Sequence, residues 1–227
     1  MKLRSPAVLA TTAVLALGAA ACGSDEEGPS EATGSSGQSQ AQAQPEPAAQ
    51  IDQLTGRSTA VTLDGGFVEA LTTLKLTPSP VGDAEVSAKG VATFPITGGN
   101  VTYYKPGSVS PYVQGEIMHD GSGLQLKGGG KTVRLTDFVI DPGASVLTGK
   151  VTVDGEVAAE SAPLFFLDGR TLNPLEVDES NGTAVLEGTT VKFKDESAKL
   201  LNETFGVDAL KGGLVVGVAK ITVNTGA

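Results

Sequence analysis

The sequence predicts an all-β protein, an antiparallel β-sandwich carrying one or two short helices. Three observations predict it. The apolar residues from Ile51 onward are mainly Val, Leu, Ala and Ile, set in short runs that often alternate with polar residues, the period of a half-buried strand. Asp-Gly and Gly-Gly pairs punctuate those runs, and such pairs supply the positive φ that tight hairpins require. Only two stretches carry the spacing of a helical face, and both are short.

Taken in order, Thr59–Leu63 alternates as a strand and stops at Asp64-Gly65-Gly66, read as a turn. Phe67, Leu71 and Leu74 then fall at i, i+4 and i+7, which predicts a helix. Gly90–Thr97 is a strand with Ala92, Phe94 and Ile96 on one face, and Pro95 points to an edge or a bulge; Gly98-Gly99-Asn100 reads as its terminating turn. Tyr112–His119 and Gly123–Lys127 read as two strands joined at Asp120-Gly121. Lys131–Ile140 is the next, its alternation slipping near Asp137 as at a bulge or Asx turn. Val146–Val153, the cluster Pro163–Leu167, Thr183–Leu186, Thr189–Lys194 and Gly213–Val223 complete the strands. Asp195–Phe205 predicts a second helix, with acids in its first turn, Ala198, Leu201 and Phe205 on one stripe, and Gly206 placed to end it. Each helix follows a similar phrase, Thr59–Gly65 or Thr183–Gly188, compatible with an internal repeat capping the two ends of a sandwich and equally with chance.

Composition narrows the function. The 227 residues hold 16 Lys+Arg against 26 Asp+Glu, a net −10, which excludes nucleic acid and anionic headgroups as electrostatic partners. One Cys excludes an internal disulfide, and one His excludes a multi-histidine metal site. The beginning of the chain is a secretory signal: Lys2 and Arg4, an apolar stretch from Pro6 to Leu17, then the small residues Gly18–Ala21. With Cys22 next, it resembles a bacterial lipoprotein signal. That resemblance implies cleavage before Cys22 and a diacylglyceryl and palmitate anchor on it, with the folded part outside the cytoplasm on the cell membrane. Loss of residues 1–21 leaves 14 basic against 26 acidic residues, a net −12. Residues 22–50 are Ser-, Gln-, Ala- and Pro-rich and read as a disordered tether with a reach of about 30 Å. The domain is expected over 51–227.

No catalytic grouping stands out. Gly121-Ser122-Gly123 is not a nucleophile elbow, and Gly128-Gly129-Gly130 and Lys211-Gly212-Gly213 lack the helix that would cradle phosphate. The Asp-Gly pairs lack the spacing of a calcium loop, so no metal site is expected. His119, at a strand end, is either a turn histidine bonded to backbone or the one residue able to serve as ligand or base. Tyr103, Tyr104 and Tyr112 cluster within ten positions and form the candidate recognition surface. The reading is a non-catalytic envelope protein with no resident cofactor that binds a surface ligand or protein, or else serves a structural part.

The text at Ala92–Gly99 and at Gly115–Leu126 resembles part of the Htaa domain, a family of all-β actinobacterial surface proteins that take up haem. The resemblance covers about a third of the folded region. It implies a haem iron ligated by a Tyr and supported by a His, and only the His has a matching position, His119. Haem or another small ligand is the alternative expectation this adds.

Overall fold

The protein is described by a computed structural model covering residues 45–226; Cys22, the signal and most of the tether lie outside the described residues. Among the described residues thirteen strands form one antiparallel sheet. In chain order they are β1 (Ala49–Ile51), β2 (Arg57–Leu63), β3 (Thr77–Gly82), β4 (Glu85–Val86), β5 (Val91–Pro95), β6 (Gly98–Tyr103), β7 (Val113–Gly128), β8 (Lys131–Asp141), β9 (Val146–Val153), β10 (Glu156–Asp168), β11 (Glu176–Asp178), β12 (Thr183–Phe193) and β13 (Val215–Asn224). Helix α1 (Gly65–Thr73) follows β2, and α2 (Asp195–Phe205) follows β12. β1 draws Ala49 and Gln50 into the sheet, two positions ahead of the expected domain start.

The strand path runs β1-β6-β7-β8-β9-β10-β12-β13-β2-β5-β4, with β11 on β12 and β3 on β7. Strands so twisted cannot stay flat over such a path, and the sheet curls until its flanks face one another, sandwich-fashion. The two ends meet on β7. Its first half pairs with β6 and its second half with β3, while the Thr97 N–H, in the link between β5 and β6, donates to Met118 O at 2.9 Å.

β7 can serve both flanks because it bends. The expected hairpin at Asp120-Gly121 is instead a bulge inside one continuous strand, and the β7–β8 register shifts between His119 and Gly123. Gly121 has φ +72 and its N–H donates to Asp137 Oδ1 at 2.9 Å, while Asp137 itself sits at φ +53. The slip read at Asp137 is the partner half of that bulge, and Asp is among the few side-chain-bearing residues that accept this conformation readily. A second pair of expected strands also fuses, into β12, with a bulge at Gly188 (φ +114).

Other differences have local causes. Asp64-Gly65-Gly66 is not a β-turn but the start of α1, since Asp64 Oδ1 accepts from the Gly66 and Phe67 N–H groups and so caps the helix. Gly98-Gly99-Asn100 is strand β6, where Gly99 (φ +108) lies too near the Glu116 carbonyl for any Cβ. Asp168-Gly169 opens a 3₁₀ turn, capped by Asp168. The Pro-rich β3 carries no strand signal of its own and is held by pairing to β7. α2 forms as read, ending at Gly206 in the left-handed region (φ 66, ψ 38).

Because β2 and β12 both run antiparallel to β13, they run parallel to one another, and the helices that follow them close the same end of the sheet rather than opposite ends. Phe67 of α1 packs on Phe193 at 5.9 Å, and Phe193 packs on Phe165 at 5.2 Å. Ser197 of α2 donates to Leu164 O, which seats that helix against β10. The opposite end is bordered by the end of β6, the start of β7 and the 3₁₀ turn.

At Gly123 an added Cβ would overlap the Leu135 carbonyl oxygen and lie 2.8 Å from Thr136 Cα, both backbone atoms. Gly123→Ala is therefore expected to destabilise by about 1–3 kcal/mol, whereas Gly65→Ala, open in the first turn of α1, should be neutral or stabilise by up to ~1 kcal/mol. Urea unfolding of the two variants checks the opposite signs.

Candidate functional site

A cavity of about 560 Å³ lies between the flanks of the curled sheet. That is inside the range of roughly 300–1,000 Å³ usual for small-molecule sites. Its wall is built from inward positions of alternating strands, among them Val61 of β2, Phe94 of β5, Ile117 of β7, Leu135 of β8, Leu147 of β9 and Ala219 of β13. No single strand announces it. Period-two alternation says which residues turn inward, but not that they stop short of filling the space.

Of the four site residues expected from sequence, the structure brings His119, Tyr103 and Tyr112 to this cavity, while Tyr104 is not among the lining residues. Tyr103 ends β6 and Tyr112 precedes β7, and their rings meet edge to face at 5.9 Å. The Tyr112 hydroxyl is pushed above its ordinary pKa, first by burial and then by the neighbouring Tyr103 phenol.

His119 is 1% exposed, on the inner face of β7 just before the bulge. Its Nδ1 lies 3.2 Å from Phe138 O of β8, and its Nε2 lies 2.9 Å from Thr59 Oγ1 of β2. A carbonyl only accepts, so Nδ1 carries the proton and Nε2 accepts from the threonine hydroxyl. Burial lowers the imidazole pKa to about 4, with the Phe138 carbonyl and Asp120 opposing the shift. Phe94 stands edge-on to the imidazole at 6.5 Å and to Phe138 at 5.2 Å.

Thr59 and His119 have the spacing of a nucleophile and its base, but the environment works against that chemistry. A general base must carry positive charge in the transition state, and here burial penalises the imidazolium while the orienting group is a neutral carbonyl rather than a carboxylate. Ser122 gives no second dyad, since its hydroxyl donates to the His119 backbone carbonyl. Among the described residues no group of three or more His, Cys, Asp or Glu is placed to hold a metal ion.

Haem, the cofactor implied by the Htaa resemblance, needs an axial ligand to iron and partners for two propionates. Both imidazole nitrogens of His119 are committed within the protein, and the hydroxyl it meets belongs to a threonine, an alcohol that stays protonated. Tyr112 holds its proton more tightly than a free phenol. The charged residues lining the cavity, Asp168 and Arg170, are joined to each other at 2.6 Å, and Lys192 reaches the same carboxylate at 2.8 Å. Where the resemblance implies a tyrosine ligand supported by the histidine, His119 meets Thr59 instead, so this pair does not supply the implied iron ligand.

The lowered pKa of His119 makes stability pH-dependent. The unfolded chain takes up the proton near pH 6.5 and the folded chain only near pH 4, so protonation favours unfolding. The contribution is intact above about pH 6.5 and declines as pH falls toward 4, by up to about 3 kcal/mol in total. His119→Phe should lose about 1–3 kcal/mol at pH 7 by stranding Thr59 and the Phe138 carbonyl, yet fall less than wild type between pH 6.5 and 4. Urea titrations of both proteins across that range check the difference.

No protein-family model and no curated protein matches this chain. Solved structures do resemble it. One is the C-terminal domain of HtaA from Corynebacterium glutamicum, with a TM-score of 0.53 and 13% identity over 76% of this chain and 98% of that one. Another is the haem-binding protein HtaB from the same organism, with a TM-score of 0.45 and 9% identity over 78% and 96% of the two chains. At such identity the likeness is one of architecture, and the chain has the fold of the HtaA C-terminal domain.

Proposed function

We propose that the chain is a non-catalytic, lipid-anchored protein of the cell envelope whose domain holds an apolar small molecule between the flanks of its sheet. The observation that carries this reading is the cavity of about 560 Å³ walled by aliphatic and aromatic side chains. A protein interior is ordinarily packed without such space, and leaving it unfilled costs stability. A ligand that fills it restores those contacts. The non-catalytic part is supported by the neutral, doubly bonded His119. The anchor is supported by the signal-like first 21 residues and by the single cysteine that follows them.

Haem is the competing ligand. The resemblance to the Htaa domain at residues 92–99 and 115–126 speaks for it, and the spent donors of His119 speak against it.

Two measurements test the reading. The full chain is expected to take up one N-phenyl-1-naphthylamine, an uncharged apolar fluorophore, with saturation. Haem titration is expected to leave the Soret region without a bound-state band; a Soret band lost in Tyr103→Phe or Tyr112→Phe would instead establish haem as the ligand. For the anchor, Cys22→Ala should abolish incorporation of labelled palmitate and move the protein from the membrane fraction to the soluble one. Hydrolytic or redox turnover that vanished in His119→Ala protein would overturn the non-catalytic assignment.

A further inference from the structure

The ligand class follows from what the cavity withholds. The uncharged polar side chains of its buried wall, His119 and Thr59, are spent on each other and on the Phe138 carbonyl. No buried side-chain nitrogen or oxygen among the described residues lacks a hydrogen-bond partner. A ligand group deep in the cavity therefore meets only a neutral hydroxyl, that of Thr189, and no uncommitted charge. Charge fares worse. Asp168 engages both Arg170 and Lys192, so the cations near the cavity are already held by a carboxylate. An ionised ligand group placed inside would lose its water without gaining a partner. The chain's net −10 adds repulsion against an anion in particular.

Apolar surface remains, and with it the open end. Tyr103, Tyr112 and Ser110 lie together there, where β6 ends and β7 begins, and the two tyrosine rings are half-buried against each other. Tyrosine combines an apolar body with a polar tip, which suits a boundary between hydrocarbon and water. We propose that the cavity takes the hydrocarbon chain of an uncharged long-chain lipid and leaves its polar head among Tyr103, Tyr112 and Ser110. This rests on the reading of the cavity as a ligand site and specifies what enters it. A chain asks for no axial ligand and no cationic partner, and it can follow an irregular wall by rotating its own bonds.

The test uses the full chain carrying Cys22→Ala, so that no lipid of its own competes, loaded with N-phenyl-1-naphthylamine. Primary alcohols from octanol to octadecanol are expected to displace the fluorophore. Affinity should rise about tenfold for each two methylenes, the yield of burying hydrocarbon, until the cavity is full. At pH 7 each alcohol should bind more tightly than the fatty acid of equal length. Ala219→Leu and Val101→Phe, which add bulk at the wall, should each weaken the longest alcohols at least tenfold. Fluorophore uptake without displacement by alcohols, displacement that ignores chain length, or fatty acids binding more tightly than alcohols would each overturn the lipid assignment while leaving a ligand site standing. Failure of both fluorophore and haem to bind would overturn the ligand-site reading itself.

Discussion

The rest of the structure depends on one buried hydrogen-bonded chain, Phe138 carbonyl to His119 to Thr59 hydroxyl. Phe138 and His119 belong to adjacent strands β8 and β7, but Thr59 lies on β2, on the facing flank of the curled sheet. The unit therefore ties together two flanks that face each other across a partly empty interior. Polar bonds in such surroundings are strong when satisfied and costly when broken, because no water replaces a lost partner. The interior has no disulfide to do this work, since the sequence holds a single cysteine and it lies ahead of the domain. His119 is thus chiefly a brace, and its chemistry is spent on holding the walls of the cavity in place.

That brace stands where β7 changes partners. A straight strand would pair along its whole length with one neighbour on each side; the Gly121–Asp137 bulge lets the first half hold β6 and the second half hold β3. Curling follows from that division, and the cavity follows from curling. The helices then make the ends unequal. Both stand at one end, where Phe67, Phe193 and Phe165 pack in series, and the exposed residues that line the cavity, Gln50, Ser110 and Arg170 among them, lie toward the other.

Charge is arranged in keeping with an apolar interior. Alternation along β10 sends Phe165 and Leu167 inward, opposite Phe193 and Val191, and β10 ends at Asp168, which borders the cavity with Lys192 nearby. There the two cations hold the Asp168 carboxyl well below the usual carboxylate range. The acid is held by two cations, and beside the Asp168–Arg170 pair the polar groups that line the cavity near the end of β6 are phenols and hydroxyls.

Much of this was legible in the residues. The all-β class, both helices, the C-terminal Gly206 and the slip at Asp137 all follow from local rules of period, capping and backbone preference, which act over a few residues and need no knowledge of neighbours. His119 and all three clustered tyrosines were marked, one by being the sole histidine and the others by their proximity; the structure puts His119, Tyr103 and Tyr112, but not Tyr104, along the cavity. The joining of Tyr112–His119 to Gly123–Lys127 was not legible, because Asp-Gly serves a hairpin and a bulge equally well and only the Asp137 carboxylate opposite it decides. Nor was β3, whose prolines argue against a strand until β7 supplies an edge to receive it. By itself the sequence determined the strand and helix periods and the positions that favour positive φ, because those are local choices. Only the tertiary structure decided that the inward faces leave a cavity, that His119 meets Thr59 sixty residues away, and that both helices close one end, because each of these depends on how distant strands are brought together.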